Sequence, residues 1–100
     1  MTDREKVIEA SLVKAVTEIG GLCMKWVCPG WSGVPDRIVL LPGGRVCFVE
    51  LKRPKGGRVS RLQEWWKKNL TGYGFRCVIV KDHEDIEDLV EELRRGPGDI

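Results

Sequence analysis

The sequence predicts a single α/β domain whose elements follow the order αβββαβα around a central mixed four-stranded sheet. Two observations indicate this fold class. The spacing of apolar residues changes along the chain between a helical period and short runs of strand length, and clusters of glycine and proline separate the segments. Strands that follow one another with helices packed against them form a mixed sheet. With 100 residues, 42% of them hydrophobic, the chain can bury one core, which assigns residues 1–100 to one domain.

The first half of the chain is predicted to contain a helix from Asp3 to Ile19 and strands over residues 22–28, 36–41 and 45–51. Gly20-Gly21 ends the helix, because glycine adopts the left-handed conformation that closes a helix. Residues 42–44, Pro-Gly-Gly, join the second and third strands as a tight hairpin. Residues 29–35 form a loop by their proline and glycine content.

The second half is predicted to contain a helix, a strand and a last helix. Ser60 and Gln63 have the spacing of a capping box, which opens a helix that continues to Gly72. The apolar residues on one face of that helix are Leu62, Trp65, Trp66 and Leu70. We interpret the two tryptophans as core or dimer contacts rather than as platforms on which bases stack. Residues 75–81 form the fourth strand, and Asp82 caps the last helix.

The charge of the chain is distributed unevenly. Residues 1–81 contain 15 Lys or Arg against 7 Asp or Glu, whereas residues 82–100 contain 2 against 8. The basic surplus is typical of a surface that binds a polyanion. No apolar run approaches the roughly 20 residues that span a bilayer, and the N-terminus is charged, so the sequence predicts a soluble intracellular protein without a membrane partner.

The four cysteines are predicted to be core residues. They are Cys23, Cys28, Cys47 and Cys77, and their spacing does not match that of a zinc knuckle. Three of them lie inside apolar runs, where a free cysteine behaves as a small hydrophobic residue. Zinc and disulfides are both disfavoured for an intracellular chain with this pattern.

Two carboxylates, Asp36 and Glu50, lie at the ends of apolar strands and are predicted to meet. Counting back through the hairpin turn places Asp36 beside residues 50–53. Two carboxylates held a few ångströms apart repel, so either one pKa rises or a divalent cation bridges them. Oxygen ligands without His or Cys suit Mg²⁺ or Mn²⁺.

The motifs around these carboxylates resemble the PD-(D/E)xK nuclease superfamily. Pro35-Asp36 followed by Glu50-Leu51-Lys52 reproduces its signature. Gly33, Gln63 and the glycine-rich basic loop between them are similar to the VRR-NUC branch in its short stand-alone form, known from phages and bacteria. Glu9 on the first helix also matches that branch, with Glu5 as the alternative.

The resemblance implies a restriction-endonuclease-like fold related to archaeal Holliday junction resolvases, often homodimeric, acting in the cytoplasm of a bacterial or phage-infected cell. It implies a metal-dependent endodeoxyribonuclease. The catalytic residues would be Glu9, Asp36, Glu50, Lys52 and Gln63. The metal ligands would be Asp36, Glu50, the Leu51 carbonyl and Glu9.

The basic residues are expected to bind the flanking phosphates of DNA. These residues are Arg53, Lys55, Arg58, Arg61 and Lys67. The alternative is a non-catalytic nucleic-acid-binding module that uses the same basic face. Whether the preferred DNA is branched, nicked or plain duplex stays open at this point.

Overall fold

The computed structural model describes residues 3–53 and 56–95, and its elements follow the predicted order αβββαβα. They are α1 (Asp3–Glu18), β1 (Leu22–Lys25), β2 (Arg37–Leu41), β3 (Arg45–Leu51), α2 (Arg61–Gly72), β4 (Arg76–Val80) and α3 (His83–Arg95). The predicted fold class and the order of its elements are confirmed. No helix in the described ranges is long and apolar enough to cross a membrane.

The four strands form one sheet in the order β1-β2-β3-β4. β2 pairs antiparallel with both β1 and β3, and β4 is parallel to β3, so the sheet is mixed as predicted. In the hairpin, Leu41 lies opposite Arg45 and Arg37 lies opposite Val49. Gly43 and Gly44 have φ of 85° and 75° in the turn, a region that side chains other than glycine's rarely tolerate. This register brings the start of β2 beside the end of β3.

The first strand is shorter than predicted, because β1 ends at Lys25 rather than at residue 28. The Trp26 amide still donates to the Asp36 carbonyl at 3.0 Å. The chain then turns, with the Trp31 amide bonded to the Cys28 carbonyl at 3.1 Å, and Pro29 has no amide hydrogen to continue a ladder.

The sheet has two different faces. We call the face covered by α1 and α3 the closed face and the opposite one the α2 face. The closed face holds the larger core, formed by Ile8, Leu12, Val16, Cys23, Val39, Leu41, Cys47, Val49, Leu51, Val80, Ile86, Leu89 and Leu93. The α2 face buries Phe48, Leu70 and Cys77, with Trp26, Ile38, Val46 and Trp66 half-buried around them. Strand residues alternate between these faces, which is why β3 contributes to both.

Three of the cysteines are core residues as predicted. Cys23, Cys47 and Cys77 are buried free thiols, whereas Cys28 is half-buried beyond the end of β1. Burial raises the pKa of the Cys47 thiol to about 12, so this side chain remains protonated and apolar at neutral pH.

The caps are confirmed, but the apolar stripe of α2 is only partly buried. The Gln63 amide donates to Ser60 Oγ at 3.1 Å, and the Asp85 amide donates to Asp82 Oδ1 at 2.9 Å. Leu70 is the buried residue of α2, whereas Leu62 and Trp65 are 43% and 48% exposed. The interpretation of Trp65 as a core residue is therefore wrong. The reason is that α2 packs on the β4 side of the sheet, and Leu62 and Trp65 lie on its outer flank.

Candidate active site

Asp36 and Glu50 meet on the α2 face, where β2 begins and β3 ends. The Leu51 amide donates to Asp36 Oδ2 at 2.8 Å, which fixes the Asp36 carboxylate against the end of β3. Glu50 is 7% exposed, and its side chain shares a hydrogen bond with that of Asp36. The carboxylate pair predicted from the hairpin register is therefore present.

This environment raises the pKa of the Glu50 carboxyl to about 8. Burial is the largest cause, because a carboxylate removed from water loses its hydration. The hydrogen bond that the protonated Glu50 carboxyl donates to Asp36 and the negative charge of Asp36 act in the same direction, and the positive charge of Lys52 opposes them. Near neutral pH Glu50 is therefore largely protonated beside Asp36, in a place where a cation could balance two ionised carboxylates instead.

Gln63 connects α2 to the carboxylate pair. Its Nε2 donates to Glu50 Oε1 at 3.0 Å, while its Oε1 accepts from the Ser60 amide at 2.9 Å. Both halves of the side-chain amide are thus used, and the capping box sets the orientation of the group that touches Glu50. The Gln63 side chain therefore caps α2 and contacts Glu50 at the same time.

Lys52 follows directly after β3 and is half-buried. Its amide donates to the Val80 carbonyl at 3.0 Å, which continues the pairing of β3 with β4 for one residue beyond the strand. Its ammonium group is close enough to lower the pKa of Glu50. The structure therefore brings Asp36, Glu50, Lys52 and Gln63 together.

Glu9 lies on the closed face, bonded to a residue that the sequence analysis did not single out. Arg37 Nε donates to Glu9 Oε2 at 2.8 Å, and Arg37 Nη1 donates to the Cys23 carbonyl at 3.1 Å. Both side chains of this ion pair are nearly buried, at 13% and 11% exposure. Of the two acidic residues considered on α1, Glu9 is buried and Glu5 is half-exposed. The direct side-chain partner of Glu9 is thus Arg37, which follows Asp36 in the chain, and the predicted role of Glu9 at the site stays a prediction.

The donor atoms at the pair fit a hard divalent cation. Within residues 3–53 and 56–95 there is no cluster of three or more His, Cys, Asp or Glu side chains that could hold a metal ion. Mg²⁺ does not need such a cluster, because it keeps several waters and is commonly held through one or two carboxylates plus a substrate phosphate. Asp36, Glu50 and the Leu51 carbonyl are oxygen donors of the kind that Mg²⁺ or Mn²⁺ prefers.

The predicted DNA-binding residues lie near one end of α2 and in the loop before it. Arg53, Arg58, Arg61 and Lys67 are all exposed. Lys67 also lines a small cleft together with Glu50 and Gln63. Lys55 lies outside the described residues.

Comparison with known proteins identifies the family. No family model matches the chain. Among curated proteins, a protein named "Putative nuclease p44" from Acyrthosiphon pisum secondary endosymbiont phage 1 is 42% identical over 87 residues, which span 87% of this chain and 91% of that protein. Among solved structures, a VRR_NUC domain superposes with a TM-score of 0.85 and 25% identity, covering 92% of this chain and 99% of that one.

The chain belongs to the VRR-NUC family. The recognition made from Asp36, Glu50-Leu51-Lys52 and Gln63 is confirmed at the level of the family and the fold.

Sequence reasoning missed Arg37, although the sequence contains a signal for it. Arg37 and Val39 have the same parity in β2, so an arginine stands at a position that faces the core. A buried charge needs a partner of opposite sign. Glu9, next to the core residue Ile8 in α1, could have been proposed as the partner of Arg37.

Proposed function

We propose that this VRR-NUC domain is a metal-dependent endonuclease that hydrolyses phosphodiester bonds in DNA with Mg²⁺ or Mn²⁺. The observation that carries the proposal is the carboxylate pair. Buried Glu50 lies against Asp36, which helps to raise the pKa of Glu50, and Lys52 and Gln63 stand beside the pair. A fold that needed only stability would pair or remove these acids.

The site residues have distinct roles in this proposal. Asp36, Glu50 and the Leu51 carbonyl would hold the cation, which supplies charge neutralisation at the phosphate and a more acidic water. Lys52 orients the attacking water and stabilises the negative charge that grows on the phosphate oxygens. Gln63 keeps the Glu50 carboxylate in place through its 3.0 Å hydrogen bond.

Glu9 acts differently from a direct ligand in this scheme. Its Oε2 is bonded to Arg37, whose main chain follows Asp36 directly. The role that this contact supports is that of a counter-ion which holds the beginning of β2, and with it Asp36, in place. The second carboxylate oxygen of Glu9 would contact the cation through a water molecule.

Phosphate contacts are assigned to the exposed cations around the site. Arg53 and Arg58 are exposed in the loop, Arg61 and Lys67 are exposed on α2, and Lys67 lines a cleft with Glu50. Lys55 is proposed from the sequence alone. Contacts of this kind determine affinity and position but not base sequence.

Two finer features, the preferred DNA and the oligomeric state, are part of the proposal. The likeness to Holliday junction resolvases favours branched DNA as the substrate. A homodimer is favoured by the small size of the domain and by apolar side chains of the edge strand β1, where Leu22 and Met24 on the α2 face are 60% and 40% exposed. Light scattering of Leu22→Lys beside the parent tests this, since a dimer that uses this face should dissociate.

The experiment that tests the function compares cleavage of a panel of DNAs, including a four-way junction, a flap, a nicked duplex and a plain duplex. Cleavage should require Mg²⁺ or Mn²⁺, cease in excess EDTA, and be lost in Asp36→Asn. If DNA is retained by the protein yet stays intact with either metal, the alternative of a non-catalytic binding module is correct. Full activity in EDTA would instead overturn the metal assignment alone.

A further inference from the structure

A shallow slot with aromatic walls lies on the outer flank of α2, where the loop before β2 packs against the helix. Its lining includes Trp31, Ser32, Arg61, Leu62, Trp65 and Trp66. The rings of Trp31 and Trp66 are 5.8 Å apart at 78°, and those of Trp65 and Trp66 are 5.2 Å apart at 87°. Trp66 therefore forms the floor of the slot, and two further indoles stand edge-on to it.

The floor of the slot is held rigidly. Trp66 Nε1 donates to the Ser32 carbonyl at 2.8 Å, and the Trp66 ring contacts Trp26 at a centroid distance of 5.9 Å. Gly33, with φ of 76°, lies so close to Leu62 that a Cβ there would stand 2.5 Å from its Cγ. The loop is thus fixed against α2, and the slot exists before any ligand arrives.

The walls of the slot are not needed for the core. Trp31 is 61% exposed and Trp65 is 48% exposed, whereas the adjoining core of the α2 face closes on Phe48, Leu70 and Cys77. Exposed indoles that line a preformed recess mark a binding surface. A flat apolar ligand would cover them with little ordering cost.

We propose that this slot receives an unpaired nucleobase of the DNA strand that enters the active site. The proposal rests on the proposed function and names the class of substrate. Arg61 lines the slot and is exposed, so a base against the indoles would have its phosphate next to a guanidinium. Stacking of bases on aromatic side chains beside a cationic groove is how proteins bind single strands. The slot adjoins the active site, because Gly33 packs on Leu62 three residues before Asp36, and Gln63, which follows Leu62, bonds to Glu50.

A second copy of the chain fits the slot less well than a nucleobase does. A symmetric interface places the same surface of both subunits together. Arg61 of each copy would then enter one interface, and like charges at an interface are unfavourable. The anionic backbone of DNA complements Arg61 instead.

The slot implies a preference among DNAs. In an intact duplex the bases are stacked on one another, and taking one out costs a few kcal/mol. A single-stranded segment or a branch point presents an unpaired base without that cost. The domain should therefore bind DNA with an unpaired nucleotide near the cut more tightly than a fully paired duplex.

The test measures binding without metal, so its outcome does not depend on cleavage. The full chain in EDTA is titrated with a single-stranded oligonucleotide that carries 2-aminopurine and, separately, with a blunt duplex. Trp31→Ala and Trp65→Ala should each weaken single-strand binding about tenfold and change duplex binding less than about twofold. Tyr73→Ala is the matched control, because Tyr73 is an aromatic residue 79% exposed at the far end of α2.

The outcomes separate the slot from its alternatives. The slot is supported if the parent protein quenches 2-aminopurine and both alanine variants quench it less. Quenching that is retained in Trp65→Phe supports the slot even if an alanine variant folds poorly. Equal losses on both DNAs, no loss on either, or conversion of a dimer to a monomer by Trp65→Ala overturns it. A protein that binds the unpaired base in this way but cleaves nothing with Mg²⁺ or Mn²⁺ contradicts the proposed function and leaves the slot standing.

Discussion

The two faces of the sheet treat buried charge in opposite ways. On the closed face, Glu9 meets Arg37 at 2.8 Å, and each charge has a partner of opposite sign. On the α2 face, the acids Asp36 and Glu50 are placed against each other, and the pKa of Glu50 rises to about 8. The same β2–β3 hairpin supplies both arrangements, because its successive residues point to opposite faces.

The difference teaches which face serves stability and which serves chemistry. Removing one partner of a buried ion pair destabilises the folded protein, because the other charge stays buried without compensation. Neutralising one member of a pair of like charges stabilises the folded protein. Two adjacent acids therefore indicate a site that binds a cation rather than one that supports the fold. We therefore expect substitutions on the closed face to unfold the domain and substitutions at the carboxylate pair to abolish activity without that penalty.

The largest expected effect is on turnover, at Lys52. Lys52→Ala should lower the single-turnover cleavage rate by about 100-fold or more, since charge stabilisation matters most in the transition state. Its DNA affinity should stay within a few-fold of the parent, because other cations contact phosphate. Lys68→Ala, an exposed lysine on α2, is the matched control. Near-parental cleavage together with a fall in affinity would make Lys52 a phosphate contact only.

The next effect should be on stability, at the ion pair of the closed face. Glu9→Gln leaves the Arg37 charge buried without a counter-ion and should cost about 3 kcal/mol of unfolding free energy. Glu91→Gln removes the acid of the exposed pair with Arg95, at 3.3 Å, and should cost less than about 0.5 kcal/mol. Urea unfolding of the metal-free proteins measures both.

The same variant tests whether Glu9 also serves the metal. Calorimetric titration with Mn²⁺ should give the same affinity for Glu9→Gln and the parent if Glu9 acts only through Arg37. A large loss of affinity at unchanged stability would return Glu9 to the set of metal ligands.

Local sequence patterns predicted most of the fold and the carboxylate pair. The hairpin glycines and the alternation of β3 place Asp36 beside Glu50 without any knowledge of the helices. Ser60 and Gln63 predicted the start of α2, because a capping box is a contact between residues only three positions apart. These features depend on short-range geometry, which the sequence encodes directly.

Contacts between distant segments could not be predicted in the same way. The pairing of Glu9 with Arg37 depends on how α1 crosses the sheet. The exposure of Trp65 depends on where α2 lies over the sheet, because a helical apolar stripe does not reveal how much of it is covered. The tertiary arrangement decides both.

The carboxylate pair should make stability depend on pH in a recognisable direction. The folded protein holds the Glu50 proton up to about pH 8, whereas the unfolded chain releases it near the ordinary value of 4.5. The stability from this group is thus present below about pH 4.5 and lost as pH rises toward 8. The melting temperature of the metal-free parent should fall by several degrees more than that of Glu50→Gln between pH 5 and pH 8. Parallel curves would show that Glu50 does not hold a proton at neutral pH.

The smallest expected effect tests how α2 supports the site from outside the pair. Ser60→Ala removes the acceptor for the Gln63 amide and should cost about 1 kcal/mol of stability, the ordinary value of a helix cap. Gln63 also holds Glu50, so loosening the first turn of α2 should lower cleavage a few-fold without changing the metal requirement. Asp82→Ala removes the cap of α3, which does not contact the pair, and serves as the control. If both variants lose similar stability but only Ser60→Ala loses activity, the cap acts through Gln63. If Ser60→Ala and Asp82→Ala lose activity equally, the effect of Ser60 comes from lower overall stability.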